Sequence, residues 1–531
     1  MIKNVLLITP PDNNEPNFNY ETCKLGRYPN FPPYGLGIIA THLRGDGVSV
    51  NVLNLNNAVL KACRESTSED TFDFKGTVRS KLVDSLISSA PDLIGVTCMF
   101  SQTHQSTVDV CKLLKELCPN VPLALGGVHI TNSMMEGSTK ERLLKDLHMV
   151  DLFFPYESEL DFRDYIRGTN NGIAHVVPSG DNLNVIPAHD LITEPDLGNN
   201  GKVGSFHVYP KSNSRFSTVL SNRGCRARCT FCSVRNFNGE SVRSRSVQSV
   251  IDELLVLRHE HGVNHIMWLD DDFLHDHKRA MNLFNEMVRQ DVGMTWDCTN
   301  GVIAWSCTEE LVGAMEASGC LGLIIGMESG NQKILHEIKK PGTVEVFKRA
   351  AKVFHKFPKI NARVFLMLGF PGETFSMVRD TYEVAREMDM DWSMITPLQP
   401  LPNTPLFQKD DAVKFEDIRF KLGAHGKQRK STERKVNVFS TNFETAFDHD
   451  PNAIPTKEEI NVLWAYMNYH LNFERLLREK RPEKHIQMLK YLNFIADVVA
   501  PDDPIADQFR KYLFEKVFEK VRNGNNVMSK V

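Results

Sequence analysis

This chain of 531 residues has no run of 18 or more apolar residues, which a membrane-spanning helix would require. It also lacks a strong charge of either sign. The formal net charge of −4 gives no general attraction to nucleic acid or to an anionic membrane surface. No internal repeat of fixed period and no long low-complexity tract is evident. The sequence therefore predicts neither a membrane span nor a nucleic-acid partner, and it is not typical of a repeat protein.

The cysteines do not form a recognisable disulfide framework. There are 11 of them, an odd number, scattered through a long chain that has no secretory signal. Residues 1–10 hold a short apolar run without a cleavage site, which predicts a buried first strand rather than a signal peptide. We therefore expect reduced thiols and a cytoplasmic protein.

Length and composition indicate several globular domains. The chain is too long for one ordinary domain, and its 41% apolar and 24% charged residues are typical of globular proteins. We expect an N-terminal domain at 1–170, a linker at 171–215, a second domain at 216–412 and a third region at 413–531.

Residues 1–170 alternate strand and helix signals at the spacing of βαβ units, which implies a doubly wound, Rossmann-like parallel sheet. The predicted strands lie at 5–9, 48–54, 93–97, 121–125 and 151–154. Ligands of such sheets bind at the carboxyl ends of the strands. Turns follow three of those ends, at 97–103, 126–131 and 156–159.

A second βα series begins at residue 216, after a polar segment rich in Asn, Gly and Pro that is typical of a linker. Its predicted strands lie at 217–220, 265–269, 295–298, 321–326, 362–368 and 393–397. Six βα units indicate a partial (β/α)6 barrel, in which the chemistry gathers at the carboxyl ends of the strands.

The C-terminal region begins with a basic segment. Residues 414–435 hold eight Lys and Arg, which is typical of a solvated loop or lid. Docking of an anionic partner is the alternative for this segment. After Pro455 the sequence predicts a helical domain, with helices at 457–478, 483–499 and 505–522.

Three cysteines, Cys225, Cys229 and Cys232, follow the first strand of the second series with the spacing C-x3-C-x2-C, and Phe231 precedes the last of them. Three thiolates this close can hold three irons of a [4Fe-4S] cluster and leave the fourth iron open to a substrate or cofactor. A zinc site is the alternative. Zinc ribbons, however, usually pair two C-x2-C knuckles, and this sequence has no second knuckle.

Carboxylates at two strand ends are candidates to serve the same centre. Residues 270–272 are three consecutive Asp after the second barrel strand, where they can accept hydrogen bonds from an amine or from ribose hydroxyls. The alternative is that they favour a helix N-terminus. Glu328 lies in an otherwise apolar strand, which is costly unless the carboxylate is paired, so a structural salt bridge is its alternative. Segment 369–374 is predicted to be a tight βα turn first and a cofactor contact second.

The cysteine spacing with its aromatic residue, placed after the first barrel strand, resembles the signature of the radical S-adenosylmethionine (radical SAM) superfamily. Residues 319–330 resemble the strand whose glutamate faces the cofactor, and 368–374 and 400–405 resemble the next two landmarks. Residues 268–273 carry acids where the superfamily often has Gly-Gly-Glu, a variant that resembles members with an appended cobalamin domain. The resemblance implies a [4Fe-4S] cluster on the three cysteines. It also implies contacts to S-adenosyl-L-methionine (SAM) from Asp270, Asp271, Asp272, Glu328, Ser329 and Asn403, the last standing where related sequences often have Gly.

The first domain resembles the cobalamin-binding domain that precedes many radical SAM barrels. The resemblance rests on Pro10-Pro11, 31–37, 126–131 and 156–159, although related chains often read Gly-Glu-Gly-Glu at the last of these. The bulk of a tyrosine there alters the channel for the nucleotide tail. The resemblance implies cobalamin contacts from Tyr34, Thr97, Ser101, Gln102, Gly126, Gly127, His129, Tyr156 and Glu157.

The sequence contains no Asp-x-His-x-x-Gly motif, whose histidine ligates cobalt from below in cobalamin proteins of another type. The nearest segment, Asp146-Leu-His148, lacks the glycine. The lower face of cobalamin is often left without a protein ligand in the radical SAM group. We therefore expect His129 to be a loop or phosphate-side contact rather than a cobalt ligand.

The resemblance implies reductive cleavage of SAM, hydrogen abstraction by the resulting radical, and transfer of a methyl group from cobalamin to an unactivated carbon. The implied partners are a small-molecule or peptide substrate and an electron donor such as flavodoxin or ferredoxin. One alternative is a cobalamin-dependent cyclase or ring-rearranging enzyme without methyl transfer. Another is a non-catalytic iron–sulfur protein of the same fold.

Overall fold

The computed structural model describes residues 2–135, 137–169, 177–211, 213–399, 401, 403–406, 450–481, 483–484, 487–488 and 490–491. The chain divides into two compact units. The first unit comprises Met1–Asn300 and Gln399–Gly426, and the second comprises Gly301–Leu398 and Lys427–Val531.

The first unit begins with a five-stranded parallel sheet in the order β2-β1-β3-β4-β5. Its strands are β1 (Asn4–Thr9), β2 (Ser49–Asn54), β3 (Leu93–Thr97), β4 (Leu123–Gly126) and β5 (Leu152–Phe154). The strand order reverses direction between β1 and β3, and the carboxyl ends of strands at such a switch point are where ligands of open α/β sheets bind.

Helices cover both faces of this sheet. They are α1 (Tyr20–Lys24), α2 (Tyr34–Gly45), α3 (Leu55–Glu65), α4 (Phe74–Ser89), α5 (His104–Leu117), α6 (Val128–Met134), α7 (Gly137–Asp146) and α8 (Glu159–Ile166). Alternate residues of β1 point to opposite cores: Leu6 and Ile8 pack with α3, α4 and α5, whereas Val5 and Leu7 pack with α2 and α8. The predicted doubly wound sheet is confirmed. The fourth strand begins two residues later than expected, since Pro122 has no N–H for a strand ladder.

The second βα series contributes three parallel strands to the first unit. They are β6 (Phe216–Val219), β9 (His265–Trp268) and β10 (Thr295–Val302), with β9 paired to both of the others. A short antiparallel hairpin of β7 (Asn222–Arg223) and β8 (Arg243–Ser244) follows β6. The helices here are α9 (His189–Ile192), α10 (Leu197–Asn200), α11 (Val234–Asn238), α12 (Val247–His259) and α13 (His277–Arg289).

The second unit holds three further parallel strands, paired in the order β11-β12-β13. They are β11 (Cys320–Glu328), β12 (Asn361–Leu368) and β13 (Trp392–Pro397). Its helices are α14 (Glu309–Ala317), α15 (Gln332–Glu337), α16 (Val344–Phe354), α17 (Phe375–Met388), α18 (Lys457–Asn468) and α19 (Glu474–Arg478). All six predicted strands of the second series are present, and the predicted α/β fold class is confirmed.

Short 3-10 helices complete the described secondary structure. They lie at Glu15–Asn17, Glu69–Thr71, Ser101–Thr103, Gly180–Leu183 and Ala304–Ser306. The described part of the predicted linker contains α9 and α10, and it buries Leu197, Val203 and Phe206. The expectation of a polar connection is therefore incomplete, because these apolar side chains fix the segment to the first unit.

The predicted helix at 457–478 is interrupted by a π-helical turn at Tyr469–Phe473. The turn presents Asn472 to β13, where its side chain accepts from Ser393 N (2.7 Å) and donates to Ser393 O (2.8 Å). The Trp464 indole donates to Ile395 O (2.7 Å) on the same strand. These side chains satisfy backbone groups that an edge strand would otherwise leave open.

Much of the predicted C-terminal region lies outside the residues that the structure describes. The basic segment at 414–435 and the helix at 505–522 lie outside the described residues, as does most of the helix at 483–499. Within the described residues, no helix combines the length and apolar character needed to cross a membrane.

The turn after β12 is organised by a buried carboxyl group. Glu373 Oε2 accepts hydrogen bonds from Gly369 N (2.6 Å) and Phe370 N (3.2 Å). Glu373 Oε1 is buried with no hydrogen-bond partner among the described residues. Burial raises the pKa of Glu373 to about 7. The predicted tight βα turn at 369–374 is present, and this side chain holds it together.

Glu373→Gln is expected to change how stability depends on pH. The folded pKa is raised above the unfolded value, so the wild-type protein loses stability as pH rises from the unfolded value of 4.5 through about 7. That shift corresponds to roughly 3 kcal/mol. The glutamine keeps an acceptor oxygen but cannot ionise. Between pH 5 and pH 8 the free energy of unfolding of the variant, measured by chemical denaturation, should therefore rise by about that much relative to wild type. Glu345→Gln, at an exposed position, is the control, and parallel pH profiles for wild type and Glu373→Gln would contradict the expectation.

Asn472→Ala is expected to lower the free energy of unfolding of the second unit by roughly 3 kcal/mol, because it leaves the buried Ser393 N–H and C=O unpaired. Denaturant unfolding monitored by tryptophan fluorescence measures the loss. Asn461→Ala, at an exposed position of α18, should leave the unfolding midpoint nearly unchanged. Equal midpoints for the two variants would show that the edge of β13 does not need this cover.

Candidate functional site

The three cysteines lie in the connection between the two strands of the β7–β8 hairpin. Cys225, Cys229 and Cys232 are all partly exposed, and Cys232 N donates to Cys229 O (3.2 Å), which tightens the end of the loop. Gly224, at φ +92°, begins the loop. A Cβ there would come within 2.2 Å of Ser241 O, so only glycine fits where the two arms of the hairpin cross.

Asp270 braces the chain that enters the cysteine loop. Its carboxylate, fully buried after β9, accepts from Ser221 N (2.9 Å), Ser221 Oγ (2.6 Å) and Asn222 N (2.8 Å). Burial raises the pKa of Asp270 to about 6, although these donors oppose the shift. Both oxygens are thus occupied by the backbone and side chain that precede the cysteines.

The other two aspartates also face the cysteine loop. Asp272 contacts Arg226 through Nε (3.0 Å) and the backbone N (3.3 Å), inside the loop itself. Asp271 accepts from Asn238 Nδ2 (2.9 Å), and burial raises the pKa of Asp271 to about 7. The three carboxylates of the predicted acidic triplet therefore have separate partners, because each one contacts a different part of the segment that carries the cysteines.

The residues around the cysteines fit the cofactors that the sequence implies. Burial raises the pKa of Cys225 to about 11. Among the described residues no three or more His, Cys, Asp or Glu side chains gather around one ion. A cubane needs no such convergence, because each thiolate binds a different iron. Asn222 Oδ1, Asp272 Oδ1 and Asn403 Oδ1 are buried without hydrogen-bond partners among the described residues, and such acceptors suit the ammonium and hydroxyl donors of SAM.

Asn403 follows β13 in the sequence and belongs to the first unit, where it contacts two other segments. Its side chain donates to Asn132 O, and its backbone O accepts from Asn236 Nδ2 (3.1 Å). The backbone is left-handed, at φ +62°, a conformation that glycine adopts freely and that asparagine tolerates better than other residues. This explains physically why asparagine can stand where related sequences often have glycine.

In the second unit, Glu328 ends β11 in a strained conformation. Its φ is +70°, and a register shift in the β11–β12 pairing falls between Gly326 and Glu328. Lys340 Nζ lies 2.8 Å from Glu328 Oε1, so the salt bridge that was the alternative for this carboxylate is present, and its contact with SAM remains a prediction. Lys340 was not among the predicted site residues. Its one signal in the sequence is a lysine pair that lies just after the helix following the glutamate.

Ser329 follows Glu328 but is fully buried. Its hydroxyl contacts Thr381 Oγ1 (3.2 Å) and accepts from Asn331 N (3.1 Å). These contacts fix the turn after β11, so a SAM contact from the Ser329 hydroxyl remains a prediction.

Six of the nine predicted cobalamin residues lie at or just after the carboxyl ends of β3 and β4. Thr97 ends β3 and Gly126 ends β4, where the two are paired. Gly127 has φ +109°, and a Cβ there would come within 2.4 Å of Cys98 O. The glycine pair therefore lets the two turns approach each other, and His129 N donates to Cys98 O (3.1 Å) across the gap.

The turn after β3 combines exposed apolar side chains with polar ones. Met99 and Phe100 are 45% and 49% exposed, and Ser101 and Gln102 beside them are half-buried. Ser101 Oγ lies 3.1 Å from Nδ1 of the buried His129. An apolar surface at the switch point of the sheet fits a large flat macrocycle such as the corrin ring.

The turn after β5 faces the cysteine hairpin. Tyr156 has φ +64°, and its backbone N donates to Thr131 Oγ1 (2.7 Å). Glu157 accepts from Arg223 Nη1 (2.7 Å) and from Arg243, which are the two arginines of the β7–β8 hairpin. Glu157 was predicted as a cobalamin contact. The structure gives its carboxylate two guanidinium partners, and a contact with cobalamin remains a prediction.

Tyr34 begins α2, and its hydroxyl contacts Glu253 Oε2 (3.2 Å) and Arg245 Nη1 (3.2 Å). Glu253 also pairs with Arg245 and with His189 Nε2 (3.0 Å), all of them buried. Burial raises the pKa of Tyr34. The Tyr34 hydroxyl is thus committed to Glu253 on α12 and to Arg245, and its predicted contact with cobalamin would have to use another part of the ring.

Alanine at Cys225, Cys229 or Cys232 is expected to remove most bound iron and the visible iron–sulfur absorption, because a cubane cannot be held by two protein thiolates alone. Iron content and absorption after anaerobic reconstitution measure this. Cys118→Ala, at the half-buried cysteine that follows α5, is the matched control and should keep both. Full iron content in any one of the three variants would remove that cysteine from the ligand set.

Two families match the chain in the order that the fold requires. The B12 binding domain matches residues 27–141, and the Radical SAM superfamily matches residues 219–385. The first match covers the switch point of the five-stranded sheet. The second covers the cysteine hairpin, the acidic triplet and Glu328.

Curated relatives span most of the chain. An uncharacterized methyltransferase of Pyrococcus horikoshii is 28% identical over 60% of this chain and 69% of its own. The cytidylyl-2-hydroxyethylphosphonate methyltransferase of Streptomyces wedmorensis is 26% identical over 71% and 77%. The anaerobic magnesium-protoporphyrin IX monomethyl ester cyclase of Rubrivivax gelatinosus is 25% identical over 74% and 69%.

Solved structures share the fold along nearly the whole length. The radical SAM methyltransferase TsrM from Kitasatospora setae, with cobalamin and a [4Fe-4S] cluster bound, aligns with a TM-score of 0.61 at 17% identity, covering 98% of this chain and 100% of that chain. The cobalamin-dependent SAM radical enzyme OxsB aligns with a TM-score of 0.56 at 15% identity, covering 98% and 75%. The chain therefore belongs to the cobalamin-dependent radical SAM enzymes, and its cofactors are a [4Fe-4S] cluster, SAM and cobalamin.

Proposed function

We propose that this protein methylates an unactivated carbon atom of a small-molecule or peptide substrate. The chain is a cobalamin-dependent radical SAM methyltransferase by its domains and relatives. The observation that carries the proposal is that the cysteine hairpin and the cobalamin-binding sheet lie in contact within one unit. The cysteine hairpin and the turn after β5 of the cobalamin-binding sheet share buried ion pairs.

When bound, the cluster and SAM supply a carbon radical that removes hydrogen from the substrate, cobalamin supplies the methyl group, and a second SAM restores it. The chain's own part is to bind and to orient. Cys225, Cys229 and Cys232 hold the cluster, and the open oxygens of Asn222 and Asp272 receive the donors of SAM. Arg226, fixed by Asp272, orders the loop between the first two cysteines.

Within the second unit, Glu328 and Lys340 form a charged pair. Paired at 2.8 Å and largely buried, they present one negative and one positive group at the carboxyl end of β11. SAM carries an ammonium and a carboxylate on its methionine part, which such a pair complements. We propose both residues as SAM contacts.

The proposed reaction needs an electron donor of low potential, since SAM cleavage begins with a one-electron reduction. We propose a flavodoxin or ferredoxin in this role. Such a donor and an oxygen-sensitive cluster both suit the cytoplasm, where thiols stay reduced. We propose that location for the protein.

The proposal predicts two products from SAM alone when the reconstituted, cobalamin-loaded protein is reduced anaerobically. 5′-Deoxyadenosine reports radical formation at the cluster, and S-adenosylhomocysteine, stoichiometric with bound cobalamin, reports methylation of the cofactor. Both are measured by chromatography with mass detection. Cys229→Ala should abolish 5′-deoxyadenosine, whereas Cys118→Ala should keep both products.

The pattern of products separates the alternatives. 5′-Deoxyadenosine without S-adenosylhomocysteine would contradict methyl transfer and favour a cyclase, the activity named for one of the relatives. S-Adenosylhomocysteine without 5′-deoxyadenosine, with the cluster intact, would contradict methylation at an unactivated carbon. It would indicate a nucleophilic carbon, whose methylation needs no hydrogen abstraction. Neither product from a fully loaded protein would overturn the enzymatic function.

A further inference from the structure

A chain of four polar side chains runs inward from the turn after β3. Ser101 Oγ lies 3.1 Å from His129 Nδ1, and His129 Nε2 lies 3.0 Å from His104 Nδ1. His104 Nε2 lies 3.1 Å from Asp146 Oδ2. Both imidazoles are buried, and the four residues come from the 3-10 turn at Ser101–Thr103, α5, α6 and the end of α7. We call this set the Ser101 relay.

With both imidazoles neutral, the chemistry of the relay fixes the direction of its hydrogen bonds. A neutral imidazole has one donor nitrogen and one acceptor nitrogen, and a carboxylate only accepts. Asp146, whose carboxylate also lies 3.8 Å from Arg142, therefore receives the Nε2–H of His104. His104 Nδ1 must then accept from His129 Nε2–H, and His129 Nδ1 must accept from the Ser101 hydroxyl. The Ser101 hydrogen is used within the relay, and its oxygen is left as an acceptor.

The same hydrogen bonds decide whether His129 is available to ligate cobalt. Both nitrogens of His129 are engaged, one with Ser101 and one with His104. His129 could reach a metal only by giving up one of these hydrogen bonds in a buried place, where an unpaired polar group costs about 1–3 kcal/mol. This agrees with the absence of the cobalt-ligating motif and gives His129 a different task.

We propose that Ser101 Oγ accepts a hydrogen bond from bound cobalamin and that Asp146, His104 and His129 are positioning residues that keep it an acceptor. Ser101 lies at the carboxyl edge of the sheet, beside the switch point and next to the exposed Met99 and Phe100. The donor is either an amide of the corrin ring or a water molecule on the lower face of cobalt. Both present an N–H or O–H to an oxygen that has no hydrogen of its own to offer.

Asp146→Asn is the variant that separates positioning from packing. It keeps the shape of the side chain but can offer its NH2 group to His104 Nε2. The tautomers of His104 and His129 can then reverse, so that Ser101 becomes free to donate. Asp146→Glu keeps the carboxylate and should restore the wild-type direction. Ser101→Ala removes the terminal acceptor, and Ser101→Thr keeps it.

The experiment measures binding of hydroxocobalamin to the cluster-reconstituted protein by equilibrium dialysis, with iron content and circular dichroism as checks on folding. Loss of one hydrogen bond of about 1.4 kcal/mol corresponds to a tenfold rise in Kd, which we expect for Ser101→Ala. Asp146→Asn should raise Kd about threefold, as partial loss of the same bond. Ser101→Thr and Asp146→Glu should bind like wild type.

Spectra of the bound cofactor distinguish the two donors. If the donor is a water on cobalt, Ser101→Ala will also shift the visible absorption of bound hydroxocobalamin and the electron paramagnetic resonance spectrum of its one-electron-reduced form. If the donor is a corrin amide, Kd will rise while both spectra superimpose on those of wild type. Wild-type Kd and spectra in both Ser101→Ala and Asp146→Asn would overturn the proposal. Methyl transfer is not measured, so this outcome is independent of the proposed reaction.

Discussion

The buried ion pairs between the cysteine hairpin and the cobalamin-binding sheet are the interaction on which the arrangement of the first unit depends. Arg223 lies two residues before Cys225 and contacts both Glu157 (2.7 Å) and Glu159 (2.5 Å), while Arg243 on the facing strand contacts Glu157. All four side chains are at most 14% exposed. Removing one partner would leave a buried charge uncompensated, which is strongly unfavourable. The pairs therefore fix the loop that holds the cluster against the domain that holds cobalamin.

The aspartates after β9 extend this constraint from the hairpin into the loop. Asp270 holds the chain just before Arg223, and Asp272 holds Arg226 just after Cys225. The first cysteine is thus fixed on both sides by buried acids that reach it from a different strand. A cofactor-binding loop positioned in this way is preorganised, which matters for radical chemistry because a misplaced radical has other partners to attack. The Tyr34–Arg245–Glu253 cluster adds a second polar connection between the same two parts of the unit.

Much of the fold and the core of the site could be predicted from the sequence, because those signals are local. The eleven predicted strands lie within a few residues of β1 to β6 and β9 to β13, and the cysteine spacing needs only eight consecutive residues. What could not be predicted depends on long-range pairing. His104 and Asp146 are 42 residues apart, and Arg243 and Glu157 are 86 apart. Nothing in either local sequence indicates that these groups would meet. The π-helical turn could not be predicted for a similar reason, because it contains Asn472, whose contact is with the distant strand β13.

Glu328 combines backbone strain with burial of a charged group. A non-glycine residue at φ +70° costs of the order of 1–3 kcal/mol, and a largely buried carboxylate adds a desolvation cost that Lys340 only partly offsets. An apolar residue in regular strand geometry at the end of β11 would avoid both costs. The bulge between Gly326 and Glu328 turns the carboxylate towards Lys340, and a Cβ at Gly326 would come within 2.7 Å of the Lys340 ammonium. The positive φ, the buried carboxylate and the bulge thus all accommodate one charged pair. Such costs are expected where a ligand, rather than the fold, requires the pair.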